Sequence, residues 1–133
     1  MYSVKVIKDL TYQEGIGDAG KLDLYLPDIE KCVALLLYFH GGGLEGGDKT
    51  DEEGVYKELA SKGIAVASAK YRLYPMAVYP QFVEDAAKAV AWELEHIREW
   101  INYDRVFFGG ISAGAYLSMM LHFQPGFLMK NNV

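Results

Sequence analysis

The chain has 133 residues, 51% of them apolar and 23% charged, with a formal net charge of −5. That length fits one domain with a hydrophobic core, and that composition excludes a disordered chain. The acidic balance argues against nucleic acid or an anionic membrane surface as partner, and a lone cysteine, Cys32, excludes a disulfide framework and a thiolate metal site.

The first residues, Met1 to Asp9, are interrupted by charges and lack the apolar stretch of a secretory leader. No apolar run is long enough to span a bilayer, so membrane insertion is not expected and a cytoplasmic setting is. Val4-Lys5-Val6-Ile7-Lys8 and Leu22-Asp23-Leu24-Tyr25-Leu26 partly alternate, as half-buried strands do. Gly15, Gly17 and Gly20 punctuate the connection, which predicts an antiparallel hairpin. Val33 to Phe39 is continuously apolar and predicts a strand covered on both faces.

Thr50 and Glu53 have the spacing of a capping box, predicting a helix to about Lys62 with Gly63 as its stop. Ile64-Ala65-Val66-Ala67 reads as a second buried strand. Pro80 opens the next helix, whose stripe Phe82, Val83, Ala86, Ala87, Val90, Ala91, Leu94 and Ile97 has helical spacing. Val106-Phe107-Phe108 reads as a third buried strand, and a last helix should run from Ala113 to about Phe123, before Pro125-Gly126. A hairpin followed by alternating strands and helices implies an α/β fold, with a mainly parallel sheet and helices on both faces. Such sheets carry their chemistry just past the carboxyl ends of strands, in the loops beginning at His40, Ala69 and Gly109.

Two of those loops hold motifs. Gly110-Ile111-Ser112-Ala113-Gly114 has the G-x-S-x-G pattern, with a strand before it and an apolar helix after it. In that context the serine sits on a sharp turn, its hydroxyl lifted above the sheet. The helix start behind it favours developing negative charge. His40-Gly41-Gly42-Gly43 follows the first buried strand. Consecutive glycines free the backbone to point N–H groups at a carbonyl oxygen that becomes an oxyanion. Neither a G-x-x-x-x-G-K-[ST] loop nor a helix-opening G-x-G-x-x-G is present, which disfavours a phosphate-cradling loop.

HGGGLEGGDK (His40 to Lys49), KYRLYP (Lys70 to Pro75), PQFVEDAAKAVAW (Pro80 to Trp92) and DRVFFGGISAGAYL (Asp104 to Leu117) occur in that order. Together they resemble the α/β-hydrolase family, most closely its hormone-sensitive-lipase-like and carboxylesterase branch. The resemblance implies Ser112 as nucleophile, with Gly42, Gly43 and Ala113 as oxyanion donors. It implies His40 as a loop-positioning residue rather than the base, and Tyr71-Arg72 and Asp85 as architectural positions near the site. Ile111 stands where this branch often has Asp or His.

A serine nucleophile needs a base and an orienting carboxylate, which in this fold follow the serine in chain order. No Asp or Glu follows Ser112, and the only later histidine is His122. The catalytic acid and base are therefore expected to be absent, and residues 1–133 to form a single partial α/β-hydrolase domain, truncated after the helix that follows the nucleophile. The expected function is a serine hydrolase of a small ester or amide, acting through an acyl-serine. It needs no metal and no cofactor, and the chain alone should be inactive. The expected partners are that substrate and either a second copy or the missing C-terminal half. The alternative is a non-catalytic binding or receptor module on the same fold, if the natural chain ends at Val133.

Overall fold

The N-terminal alternation forms β1 (Val4–Thr11) and β2 (Lys21–Pro27), antiparallel, with Val6 opposite Tyr25 and Ile7 opposite Leu24, in the computed structural model, which describes residues 1–133. The register shifts between Ile7 and Leu10, where Asp9 takes φ 59° and donates its N–H to Asp23 Oδ1 at 2.8 Å. The apolar runs become β3 (Ala34–Phe39), β4 (Ile64–Ala69) and β5 (Val106–Gly110). One five-stranded sheet results, of order β1-β2-β4-β3-β5. β3 pairs parallel with β4 and β5, and β2 joins β4 antiparallel. The α/β architecture with a parallel centre and an N-terminal hairpin is as expected.

Helices cover both faces. On one face α1 (Glu53–Ser61) sets Tyr56 and Ala60 against Tyr25, Tyr38 and Val66. On the other, α2 (Gln81–His96) and α3 (Ala113–Phe123) pack over Leu35, Leu37, Phe39, Ala65 and Ala67. A short α4 (Gly126–Met129) follows Pro125. No helix is long and apolar enough to cross a membrane.

Two local expectations need correction. The capping box does not form: α1 starts at Glu53 with no side-chain cap. The Glu53 carboxylate instead accepts from Lys8 Nζ at 2.8 Å and Tyr25 Oη at 2.7 Å. Those hydrogen bonds, with a third from Lys57, hold its pKa down to about 2. A charge-assisted contact across the sheet outweighs a local cap. Nor is β5 buried like β3 and β4. It hydrogen-bonds only to β3, and Phe107 is 54% exposed. Apolarity reports what a strand is suited to touch, and here one side of β5 has nothing beside it.

Glu93 on α2 is fully buried, and neither carboxyl oxygen has a hydrogen-bond partner. Burial pushes its pKa well above the usual carboxylate range, so the folded chain keeps it neutral. In the unfolded chain it ionises near pH ~4.3. The stability kept by the neutral form below that pH is therefore lost as pH rises toward the folded-state pKa. Glu93→Gln should raise the thermal midpoint at neutral and higher pH, and the gain should shrink toward about pH 4. Circular-dichroism melts across this range check it; a gain independent of pH would show that Glu93 does not titrate with folding.

Candidate active site

β5 ends at Gly110 and α3 begins at Ala113, so Ser112 stands in the turn between them, with φ 53° and ψ −113°. A serine rarely adopts a positive φ, and such strain persists only where the surroundings impose it. Here the Gly114 N–H donates to Ile111 O at 2.9 Å, and the Tyr116 N–H donates to Ser112 O at 3.0 Å. The flanking glycines are a steric demand. A Cβ on Gly110 would strike the backbone of Gly114 and Ala115, and one on Gly114 would strike the carbonyls of Phe39 and His40. The turn is thus packed against the end of β3, where the glycine loop begins.

The two motif loops meet. A Cβ on Gly41 would lie 2.7 Å from Ile111 O and 3.5 Å from the Ser112 Cβ. Gly42, Gly43 and Leu44 follow with φ of 124°, 67° and 64°. The loop folds back on itself, the N–H groups of Glu45 and Gly46 both donating to Gly42 O at 3.2 and 3.0 Å. The Tyr74 N–H holds Leu44 O at 2.7 Å. Ser112 borders two hollows. One, of about 240 Å³, includes His40, Gly41, Gly42, Asp51 and Glu52. The other, of about 340 Å³, is lined by Gly43, Leu44, Ala113 and Tyr116. This arrangement can seat a carbonyl compound with its substituents on either side of the serine.

His40 is 1% exposed, and its ring stacks on Tyr71 at 4.5 Å and 12°. Its Nδ1 lies 2.7 Å from Gly41 O, which assigns the ring proton to that nitrogen. Burial pushes the imidazole pKa down, so it stays neutral at pH 7. The Tyr71 hydroxyl donates to His40 O at 2.7 Å. Arg72 grips the fully buried Asp85 carboxylate through its backbone N–H at 3.0 Å and its guanidinium at 2.9 and 2.8 Å. The segment after β4 is thereby fastened to α2, with Tyr71 held under the glycine loop.

The other histidines are elsewhere. His96 ends α2, with Nδ1 3.1 Å from Glu99 and its ring beside Trp92. His122 is near the far end of α3, about 15 Å along the helix from Ser112 at ~1.5 Å per residue. The structure brings Ser112, Ala113, Gly42, Gly43 and His40 together, with Asp51 and Glu52 lining the hollow on one side of the serine and His96 and His122 away from it. Sequence reasoning assigned nothing to Lys49, Asp23 and Ser68. They anchor the far end of the glycine loop, and strand alternation offered no signal for a fully buried Asp23.

A family model described as BD-FAE matches residues 22–131. Esterase LipI of Mycobacterium tuberculosis is 37% identical over 89 residues, covering 65% of this chain and 28% of that protein. An acetyl esterase of Salmonella schwarzengrund is 34% identical over 98 residues, covering 72% of this chain and 30% of that protein. Esterase B of Lactobacillus rhamnosis superposes with a TM-score of 0.83 over 94% of this chain and 44% of its own, at 24% identity, a likeness of fold. The chain spans less than a third of the length of these two curated relatives.

Proposed function

The chain belongs to the BD-FAE family, in the carboxylesterase branch of the α/β-hydrolases, and from that premise we propose that it is the nucleophile-bearing part of a serine esterase. Ser112 Oγ attacks the carbonyl carbon of a small ester or amide, and its proton passes to a base. The carbonyl oxygen becomes an oxyanion and accepts N–H groups of Gly42, Gly43 and Ala113 at the start of α3, where the helix dipole adds to the hydrogen bonds. The tetrahedral intermediate collapses, the leaving group departs with a proton, and water releases the acyl group from Ser112. No metal or cofactor enters these steps. His40, neutral and stacked on Tyr71, positions the loop.

One observation carries this reading: Ser112 is held at positive φ in a turn packed directly against the glycine loop that begins at Gly41. The relatives named as esterases support it and make a non-catalytic binding module the weaker alternative. The acid and base are proposed to lie in polypeptide beyond residues 1–133. That polypeptide would add a parallel strand to the open edge of β5, where Leu94, Val106, Phe108, Met119 and Phe123 line an apolar groove of about 560 Å³. A second copy of the chain is the competing occupant. A cytoplasmic setting, consistent with the free and buried Cys32, belongs to the same proposal.

Covalent capture tests it. A polypeptide containing residues 1–133 and the downstream acid and base, treated with a p-nitrophenyl phosphonate, should gain one phosphonyl group on the peptide bearing Ser112. A folded polypeptide left unlabelled there would overturn the assignment.

A further inference from the structure

The glycine loop is anchored at both ends. At its start, His40 is clamped by Tyr71. At its end stands Lys49, 6% exposed, whose ammonium lies 3.0 Å from Asp23 Oδ2 on β2 and 3.0 Å from Asp9 Oδ1. Asp23 is fully buried, takes the Asp9 N–H on its other oxygen, and shares Oδ2 with Lys8 at 3.0 Å. The Lys49 carbonyl accepts from Ser68 Oγ at 2.7 Å, and Ser68 on β4 is the register partner of Asp23. Neighbouring strands therefore grip one residue by its side chain and by its backbone.

That grip is two residues from the site. Gly47 packs so closely on the Gly41 carbonyl and the His40 ring that a Cβ there would overlap both, and Gly46 is bonded to Gly42. Gly41 in turn touches the Ile111 carbonyl beside Ser112. Freed from Asp23, Lys49 keeps its backbone bond from Ser68, and residues 46–48 lose the buried side-chain anchor, leaving them to the exposed contacts of Asp48 with Asp51 and Lys70. Lys49 has no path to a substrate, since Asp23 and Asp9 occupy its charge. Burial opposes the ammonium, but the two carboxylates outweigh it and hold its pKa above the ordinary value.

We infer that Lys49, paired with buried Asp23, is a positioning residue that holds the oxyanion-donating glycines in register with Ser112. This rests on the proposed role of Gly42 and Gly43. Its catalytic consequence follows from the sensitivity of transition-state hydrogen bonds to small displacements of a donor, for which substrate binding has little need.

Two measurements separate this inference from the hydrolase reading itself. The first needs no turnover. Hydrogen exchange read by mass spectrometry on the peptide spanning residues 41–48 should accelerate about tenfold or more in Lys49→Met, with peptides from β3 and β4 unchanged, and Lys49→Arg should restore protection. Exchange that is unchanged in residues 41–48, or that rises equally in β3 and β4, overturns the inference. The second uses the polypeptide with the downstream acid and base. Lys49→Met should lower kcat for p-nitrophenyl acetate roughly tenfold or more at nearly constant KM, with recovery in Lys49→Arg. Ile97→Val, a small cavity at the other end of α2, calibrates loss of stability alone. Equal losses of kcat in Lys49→Met and Ile97→Val variants of matched thermal midpoint overturn it. Loop protection lost in Lys49→Met without Ser112-dependent turnover in the wild type would keep the anchoring and remove its catalytic meaning.

Discussion

Ser112→Ala, in a polypeptide that carries residues 1–133 with a downstream acid and base, is expected to lower kcat for p-nitrophenyl acetate by roughly 10⁴-fold or more. The 133-residue chain alone is expected to show only the residual rate, with or without the serine. The two expectations share a cause. A serine hydroxyl attacks a carbonyl at a useful rate only when a base takes its proton as the bond forms. No Asp or Glu follows Ser112 in residues 1–133. His96 and His122 are at the far ends of their helices, and the His40 ring is sealed beneath the loop. What remains is the glycine loop and the helix start, the proposed oxyanion donors, which without a base have little oxyanion to stabilise.

The same reasoning predicts rescue. Adding the downstream polypeptide as a separate chain should restore Ser112-dependent turnover, because the β5 edge and its groove are open to receive a strand. Phe107→Glu puts a charge on that exposed edge and should prevent rescue. Steady-state assays on the mixture, with sedimentation to show the complex, check both. Ser112-dependent turnover by the chain alone would mean that a second copy supplies a base.

Gly114→Ala is expected to cost more than about 3 kcal/mol of stability, well above the typical point substitution. Alanine is otherwise a better helix former than glycine, and a substitution inside α3 should stabilise on propensity alone. Packing reverses the sign. The added methyl would overlap the carbonyl oxygen of Phe39 and crowd that of His40, and both belong to backbone that cannot turn aside as a side chain would. Relief requires α3 to withdraw from the end of β3, which carries Ser112 away from the glycine loop. Chemical denaturation of Gly114→Ala beside Ala115→Gly, a change at the next helical position that adds no bulk, would show the effect. A Gly114→Ala variant as stable as the parent would mean that α3 and β3 are not in contact as described.

Much of this molecule was legible in its sequence because the deciding interactions are local or periodic. Continuous apolar runs marked β3 and β4, the helical stripe marked α2, and Pro125-Gly126 marked the end of α3. The glycines around Ser112 and after His40 announced tight backbone, since only residues without a Cβ fit there. Distant pairings were not legible. Glu53 left its cap for Lys8 and Tyr25, which are 45 and 28 residues away in the chain. Asp23 went to the interior because Lys49, 26 residues on, came to meet it. Phe107 reads as a core residue and is exposed, because nothing in residues 1–133 lies beside the outer edge of β5. The sequence by itself determined the order of strands and helices and the residues able to form the turn at Ser112. Only the tertiary structure decided which charges were buried and which apolar groups were not, because burial depends on partners that folding brings together and that no local pattern names.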